Sequence, residues 1–301
     1  MAELPKRKLG RTGLDVTVLG YGAMELRNQE GYRRPLAPGQ AQQVLNAVLD
    51  AGINFIDTSI DYGESEENIG KYISHRRGEY FLASKCGCPA GVDEPSMRSG
   101  DRRHSYTREN ITAGVNQSLK RMKTDYLDLI QFHHGPSPQA LKEEGSIETL
   151  LELKRQGKVR FIGSSSTLPT LLDHINMGAF DAFQIPYSAL EREHEEAISQ
   201  AAKAGAGTII RGGVARGVGQ SGQGRTDTWR LWDRARLDDL LGDMTKMEFI
   251  LRFTISHPGM STTIVGTLNP SHLMENVAAA SKGPLPASVY TEAKRRLDAA
   301  A

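Results

Sequence analysis

Eight short apolar runs alternate along this chain with longer amphipathic segments. The runs are Val16–Leu19, Ile53–Ile56, Tyr80–Ala83, Leu127–Ile130, Val159–Ile162, Ala182–Ile185, Thr208–Ile210 and Thr263–Val265. The amphipathic segments cover residues 39–51, 65–74, 107–122, 146–155, 168–176, 194–204, 246–256 and 270–280. Repeated strand–helix units build a parallel sheet covered by helices, and eight such units close into a barrel. We therefore predict an α/β fold, a single (β/α)8 TIM barrel that forms one domain over residues 1–301.

The segment before the first unit, Arg7–Val16, contains the turn sequence Arg11-Thr12-Gly13. It predicts a small β-hairpin that plugs the N-terminal face of the barrel. Three connections, residues 22–38, 86–106 and 211–245, are longer than the usual two to six residues between a strand and the next helix. All three follow predicted strands, so we expect them to overhang the active-site face.

The charge balance argues against two classes of partner. The chain has 301 residues, with 37 Lys and Arg against 36 Asp and Glu, and this gives a net charge of +1. No charge surplus is present to attract nucleic acid or an anionic membrane.

No apolar run approaches the roughly 18 residues of a membrane span. The first residues lack the apolar core of a signal peptide, and two cysteines fit a reducing compartment. We expect a cytoplasmic protein with a small-molecule substrate, and no pattern indicates an oligomeric state.

Four polar residues lie where predicted strands end. Asp57 and Tyr62 follow the second strand in the stretch FIDTSIDYG, and Lys85 ends the third strand. His133 ends the fourth strand in the stretch DYLDLIQFH. Adjacent strand ends in a barrel lie about 5 Å apart, and barrel enzymes place their catalytic residues there. One such residue alone would suggest a charged surface side chain or a histidine whose hydrogen bonds are all made within the protein. Four such residues at successive strand ends favour an active site.

The chemistry of these four side chains fits together. A free tyrosine has a pKa near 10 and is a poor proton donor at neutral pH. The ammonium of Lys85 would lower the pKa of Tyr62 by stabilising the phenolate, and Asp57 would hold the lysine in place. His133 can hydrogen-bond the oxygen of a bound carbonyl. The set is suited to protonating an oxygen that gains negative charge, as reduction of a carbonyl by hydride requires.

Several stretches occur in the order in which they occur in the aldo-keto reductases. They are GYGAM (20–24), NFIDTSIDYG (54–63) with Glu67 and Gly70, Lys85, DYLDLIQFH (125–133), GKVRFIGSS (157–165), Gln184 with Tyr187, and GTLNPSHLMEN (266–276). The chain resembles that family over about residues 6–280, including its bacterial and plant branch and the potassium-channel beta subunits. The resemblance implies a (β/α)8 barrel that binds an extended nicotinamide dinucleotide without a Rossmann domain and reduces aldehydes or ketones to alcohols.

The resemblance also implies residue roles. Tyr62 would be the proton donor, Lys85 and Asp57 would tune it, and His133 would orient the carbonyl. Ser164, Ser165 and Gln184 would lie near the nicotinamide carboxamide. Five residues would lie along the adenosine phosphate end: Thr267, Asn269, His272, Glu275 and Asn276. The remaining predicted cofactor-binding residues are Gly22, Met24, Tyr187, Arg211 and Gly266.

Three positions depart from the family pattern. Arg211 stands where many members carry an aromatic ring that stacks on the nicotinamide, and its planar guanidinium can stack there or pair with an anionic group. Gly212 and Gly213 replace a small residue and a proline. Ser166 stands where the family often has asparagine, which bears on the carboxamide contacts and not on the chemistry.

The choice of cofactor depends on two further positions. The family often carries a lysine at position 266 and an arginine at position 272, and both hold the 2′-phosphate of NADPH. This chain has Gly266 and His272, so one cation is absent and the other depends on protonation of the imidazole. We predict NADP(H) as the cofactor through Thr267, Asn269 and His272, with a narrow margin over NAD(H), which is the alternative.

Three other patterns have a simpler interpretation. Cys86 and Cys88 beside His133 and His134 suggest a zinc site. However, if Lys85 points into the barrel, strand alternation directs both cysteines out of the barrel interior. The same alternation directs the side chain of His134 away from that of His133. We therefore predict no metal site and expect packed thiols, with redox-sensitive thiols as the alternative. Residues 217–222 match GxGxxG but lead into polar residues, so we expect a loop. Trp229 and Trp232 could cap a substrate pocket or form one buried face of a short helix.

Two other functions remain open at the level of sequence. One is a cofactor-binding regulatory subunit that acts through protein interaction on the same fold. The other is reversible alcohol oxidation or sugar dehydration at the same site. A measurable turnover of a small aldehyde favours the enzyme over the regulatory subunit, and the mass of the product separates reduction from dehydration.

Overall fold

The computed structural model of the protein describes residues 3–28, 35–91, 104–215 and 226–301. Eight strands form the barrel: β3 (Leu19–Gly22), β4 (Phe55–Asp57), β5 (Phe81–Cys86), β6 (Leu127–Phe132), β7 (Val159–Ser165), β8 (Ala182–Pro186), β9 (Gly207–Arg211) and β10 (Thr262–Val265). Each strand pairs in parallel with its neighbour in sequence, and β10 pairs with β3 to close the barrel. The predicted (β/α)8 barrel is confirmed. Only the first predicted apolar run is offset from its strand. The run Val16–Leu19 shares just Leu19 with β3 and otherwise covers the residues before it.

The N-terminal hairpin is also confirmed. Its strands β1 (Lys6–Lys8) and β2 (Asp15–Thr17) pair in antiparallel register on either side of a short 3-10 turn, Gly10–Thr12. The Arg7 guanidinium donates to the backbone carbonyls of Ile255 and Met260, which precede β10. The hairpin is therefore held at the N-terminal end of the barrel, where the sequence predicted a plug.

The helices surround the barrel. They are α1 (Gln40–Asp50), α2 (Ser65–Tyr72), α3 (Arg108–Met122), α4 (Pro138–Glu143), α5 (Ser146–Arg155), α6 (Thr170–Met177), α7 (Glu195–Lys203), α8 (Thr226–Arg234), α9 (Lys246–Ile255), α10 (Pro270–Ser281) and α11 (Ala287–Ala300). Eight of them match the predicted amphipathic segments. The helices α4 and α11 were not predicted, and α8 carries the two tryptophans for which a short helix was one of two interpretations. Within the described ranges, no helix is both long and apolar enough to cross a membrane.

The segment 211–245, which we predicted to be a long loop, contains helical structure. It includes α8 and a 3-10 turn at Leu237–Leu240. Trp232 is completely buried and its indole N–H donates to Asp238, while its ring lies 5.7 Å from that of Trp229. The two tryptophans therefore form one packed face of a short helix, which was one of the two alternatives. The GxGxxG match at residues 217–222 lies outside the described residues.

Apolar packing divides between the inside and the outside of the barrel. Leu9, Leu14 and Val16 of the hairpin region pack with Phe55 and Leu129 inside the barrel, near its N-terminal end. A larger cluster fills the space between the strands and the helices. Because apolar side chains fill most of the N-terminal end, a polar site is expected at the other end, where the strands terminate.

Candidate active site

A buried ion pair occupies the C-terminal end of the barrel. Lys85 at the end of β5 and Asp57 at the end of β4 are almost completely buried, and Lys85 Nζ lies 2.6 Å from Asp57 Oδ2. The ammonium also donates to the carbonyl of Thr58 at 2.8 Å. Burial has the largest single effect and lowers the pKa of Lys85, but the charge and hydrogen bond of Asp57, together with Tyr62 and Asp61, outweigh it and the pKa is raised. Lys85 is therefore a fixed positive charge at neutral pH.

Two glutamines hold the second oxygen of Asp57. The side-chain amides of Gln131 and Gln184 both donate to Asp57 Oδ1, at 2.9 Å and 2.8 Å. Ser165 Oγ donates in turn to Gln184 Oε1 at 3.2 Å. Ser165 and Gln184 were predicted to lie together, and the structure brings them to the ion pair. Gln131 was missed, although its place in β6, two residues before His133, indicates the inward face.

Tyr62 lies next to the ion pair. Lys85 Nζ is 4.9 Å from the centre of the Tyr62 ring, and the guanidinium carbon of Arg27 is 5.4 Å from it. Burial raises the pKa of Tyr62, and the charge of Lys85 offsets part of that rise without reversing it. The expected net lowering of the pKa is therefore wrong, because desolvation of the phenolate outweighs the lysine. The hydroxyl remains protonated at neutral pH, the form that a proton donor requires.

His133 follows the last residue of β6 and faces Tyr62. The two rings are 6.1 Å apart and nearly perpendicular. The Tyr106 hydroxyl donates to the backbone carbonyl of His133 at 2.6 Å. Burial lowers the pKa of His133 well below its ordinary value, so the imidazole is neutral at pH 7. The structure thus brings together all four residues that the strand ends suggested.

Cys88 lies on the active-site side of the barrel, and this overturns our expectation. Its sulfur is 3.1 Å from His133 Nδ1. Strand alternation correctly directs Cys86 outward into the core, but β5 ends there and Gly87 has a φ of 97°. This left-handed conformation breaks the alternation, so Cys88 turns back toward His133. Burial raises the pKa of the Cys88 thiol, which keeps it protonated in the protein alone.

His134 also does not follow the alternation that we expected. It lies beyond the end of β6 with a φ of 64°, so it no longer belongs to the pleated strand. Its ring is 4.0 Å from that of His133 and 4.3 Å from that of His104, and it is exposed. Three imidazoles therefore gather beside the catalytic candidates, and the sequence did not single out His104.

Ser164 does not reach the site. Its hydroxyl lies 2.9 Å from His174 Nδ1, on the outward face of β7 toward α6. This contradicts the position implied by the resemblance, because Ser165 is the neighbour that points inward. Ser166 is a better candidate, since its buried hydroxyl has no hydrogen-bond partner among the described residues. The run of three serines, 164–166, made the register ambiguous in the sequence.

Tyr187 is likewise placed away from the barrel interior. Its ring packs against Phe253 of α9 and against His257, and the side chain is completely buried among the helices. Its predicted contact with a cofactor is therefore wrong. Arg211 ends β9 and is half-buried, and it adds to the effect of burial in lowering the pKa of His134. This places a guanidinium at the same end of the barrel as the histidines.

The remaining predicted cofactor residues lie around the ends of β3 and β10. Gly22 and Gly266 face each other closely, and a Cβ atom at position 266 would meet the Gly22 carbonyl at 2.7 Å. Asn269 caps α10, where its side chain accepts from the Ser271 N–H. His272 and Glu275 are exposed on the first turns of α10, while Met24, Thr267 and Asn276 are half-buried. A lysine at position 266 would require a backbone shift in this protein.

A buried Lys–Asp pair beside a tyrosine and a histidine, at the mouth of a (β/α)8 barrel, is suited to proton transfer to a substrate oxygen. The family profile described as "Aldo/keto reductase family" matches residues 18–297. The chain belongs to this family of oxidoreductases.

Similar proteins carry different descriptions. The chain is 28% identical to "Uncharacterized oxidoreductase YqkF" of Bacillus subtilis, over 92% of this chain and 91% of the relative. It is also 28% identical to "Putative voltage-gated potassium channel subunit beta" of Schizosaccharomyces pombe, over 92% and 88%. The solved holo structure of aldo-keto reductase AKR11C1 from Bacillus halodurans superposes with a TM-score of 0.84 at 28% identity, over 98% and 96% of the chains.

Proposed function

We propose that the protein reduces an aldehyde or ketone to an alcohol, with NADPH as the preferred hydride donor and Tyr62 as the proton donor. The single observation that carries this proposal is the position of Lys85 Nζ, 4.9 Å from the Tyr62 ring and bound to the buried Asp57. A fixed cation beside a phenol stabilises the charge that develops when the phenol gives up its proton.

The residues at the mouth fit a nicotinamide dinucleotide. Ser166 offers a buried hydroxyl without a partner among the described residues, and Gln131 offers an unpartnered amide oxygen. Both suit the donor and acceptor groups of a carboxamide. The capped N-terminus of α10 presents backbone N–H groups and His272 to solvent, which suits a phosphate. Ser165, Ser166 and Gln184 would hold the nicotinamide end, and Thr267, Asn269 and His272 the phosphate end. When bound, the dinucleotide supplies the hydride.

The side chains of this protein would manage the proton and the orientation of the substrate. As the carbonyl carbon gains hydride, its oxygen becomes basic and takes the proton from the Tyr62 hydroxyl. The Lys85 ammonium stabilises the resulting phenolate. Asp57 and its two glutamine partners keep the ammonium in position, so that little reorganisation is needed when charge develops. His133, neutral because of its burial, donates a hydrogen bond to the same oxygen and orients the carbonyl.

A second candidate is a cofactor-binding subunit that acts through protein interaction. The similarity to a protein described as a potassium-channel beta subunit favours it. The same site could also run in reverse, with the Tyr62 phenolate as the base for alcohol oxidation. Turnover separates these alternatives, because a purely regulatory subunit would consume no carbonyl compound.

The test is a panel of small aldehydes, ketones and sugars incubated with the protein and NADPH, with cofactor absorbance and product mass measured together. We expect consumption of NADPH coupled to a product that has gained two hydrogen atoms. A product that has lost one water molecule would indicate dehydration instead. Absence of turnover across the panel, with NADPH bound, would favour the interaction subunit.

A further inference from the structure

A group of metal-ligating side chains lies beside the proposed hydride-transfer site. Cys88, His104 and His133 each contribute one ligand atom, and these three atoms all lie within 4.8 Å of one another. Cys88 and His133 are buried and His104 is half-buried. The three residues come from the β5 end, the segment before α3 and the β6 end, so the fold and not a local sequence motif brings them together.

The donor set is the one that zinc prefers. Zn²⁺ binds thiolate sulfur at about 2.3 Å and imidazole nitrogen at about 2.0–2.1 Å, in tetrahedral geometry. Two such ligands of one ion lie roughly 3.5 Å apart, from those bond lengths and a tetrahedral angle. The 3.1 Å between Cys88 Sγ and His133 Nδ1 is close to that separation, so a small side-chain adjustment suffices. Hard cations such as Mg²⁺ prefer an all-oxygen set and are disfavoured here.

The surroundings supply compensating negative charge. Asp61 is buried, and its Oδ1 lies 3.6 Å from His133 Nδ1. Asp61, His133 and His134 form a second set of three ligand atoms within 4.8 Å. Of the nearby cations, Lys85 is already paired with Asp57, and the Arg211 guanidinium lies close enough to His134 to lower its pKa. One thiolate together with the Asp61 carboxylate would balance the charge of a divalent ion.

We propose that Cys88, His104 and His133 form a zinc-binding site, with Asp61 beside it to balance the charge. On binding, the Cys88 thiol loses its proton to solvent as the Zn–S bond forms. His133 belongs both to this site and to the proposed carbonyl-binding site, so we expect a bound Zn²⁺ to interfere with the binding of a carbonyl substrate beside it. This second consequence, reversible inhibition by zinc, depends on the proposed function, whereas binding itself does not.

Cobalt titration tests the site directly. Co²⁺ takes the same ligands as Zn²⁺ and shows a thiolate-to-metal charge-transfer band in the near ultraviolet when sulfur is bound. We expect this band when Co²⁺ alone is added to the reduced wild-type protein, and we expect Zn²⁺ to displace it. Cys88→Ser should abolish the band, and His104→Ala should weaken Co²⁺ binding at least about ten-fold, since even second-shell changes cost that much.

Cys86→Ser is the matched control, because Cys86 lies two residues away but points outward into the core. This variant should keep the band, which also shows that a serine near the end of β5 does not by itself disturb the fold. Absence of the band in wild-type protein, or its survival in Cys88→Ser, would overturn the proposed site.

Turnover assays separate the two parts of the proposal. Zn²⁺ should inhibit the wild-type protein and Cys86→Ser competitively with the carbonyl compound, with EDTA restoring activity. The Cys88→Ser variant should need at least about ten-fold more Zn²⁺ than the wild-type protein to reach half inhibition, and this ratio does not depend on the turnover of the uninhibited variant. A cobalt band without zinc inhibition would support the metal site and contradict the second part of the proposal, the interference of bound zinc with the carbonyl compound.

Discussion

The ammonium of Lys85 lies 4.9 Å from the centre of the Tyr62 ring. The same nitrogen is bound to Asp57 Oδ2 at 2.6 Å, and the other oxygen of Asp57 accepts from two glutamines. The position of the cation is therefore set by a chain of buried hydrogen bonds across three further strands. This arrangement predicts both a pH dependence and a stability effect.

Lys85→Met should shift the pH dependence of carbonyl reduction. Burial already raises the pKa of Tyr62, and the lysine opposes that rise. Removing the positive charge raises the pKa further, so Tyr62 stays protonated to higher pH. Reduction requires the protonated form, and we therefore expect the alkaline limb of the kcat profile to move upward. Lys85→Arg, which keeps the charge, is the control and should leave the limb nearer its wild-type position. An unmoved limb in an active Lys85→Met variant would contradict this role.

Lys85→Met should also destabilise the fold. Removing one partner of a buried ion pair leaves an uncompensated charge and costs about 3–5 kcal/mol. The variant Lys85→Met with Asp57→Asn removes both charges, so we expect it to recover part of that loss. Urea unfolding of the wild type, the single variant and the double variant measures the difference. Equal free energies of unfolding for all three would mean that the pair is not desolvated as the structure indicates.

Ser166→Ala and Ser164→Ala should have different effects on cofactor binding. The hydroxyl of Ser166 is buried without a partner among the described residues, whereas that of Ser164 contacts His174 behind the strand. A hydrogen bond contributes about 0.5–1.5 kcal/mol, so Ser166→Ala should raise the Kd for NADPH about two- to twelve-fold. Ser164→Ala should leave that Kd unchanged. The quenching of protein fluorescence by NADPH gives both constants, and an effect limited to Ser164→Ala would reverse the assignment.

His272→Arg should widen the preference for NADPH over NADH. His272 is exposed on the first turn of α10, where an arginine would add a permanent positive charge. A charged hydrogen bond contributes about 1.5–3 kcal/mol, so the ratio of the two Kd values should change by about ten-fold or more. His272→Gln should narrow the preference. If neither variant changes the ratio, another group reads the 2′-phosphate.

The fold could be predicted from the sequence because its signal is repeated. Eight apolar runs, each followed by an amphipathic segment, define the barrel even though one run is offset from its strand. The four catalytic candidates follow from the rule that barrel sites lie at strand ends. The helix α11 was missed because it follows the eighth unit. It packs on the α8 region, with Arg296 donating to the carbonyl of Arg236, and it pairs with α7 through Lys294 and Glu195. These tertiary contacts, which no repeat in the sequence announces, give it its place.

Side-chain direction could be predicted only within strands. Alternation places Lys85 inward and Cys86 outward correctly. It fails at Cys88 and His134, because a left-handed residue lies just before the first and at the second. It was also ambiguous within the serine run at 164–166, where the register decides which hydroxyl faces the barrel. The proximity of Cys88, His104 and His133 depends on the backbone conformation just after these strands end. It could not be predicted from the spacing of the three residues in the sequence.

The most direct test of the account is the comparison of wild-type protein with Tyr62→Phe in NADPH-dependent reduction of a carbonyl compound found with the panel described above. The phenylalanine keeps the ring and removes only the hydroxyl, so the Kd for NADPH should stay close to the wild-type value. The kcat should fall by about two to four orders of magnitude, the usual contribution of a general acid. A Tyr62→Phe variant that retains most of its turnover would contradict the assignment of Tyr62 as the proton donor.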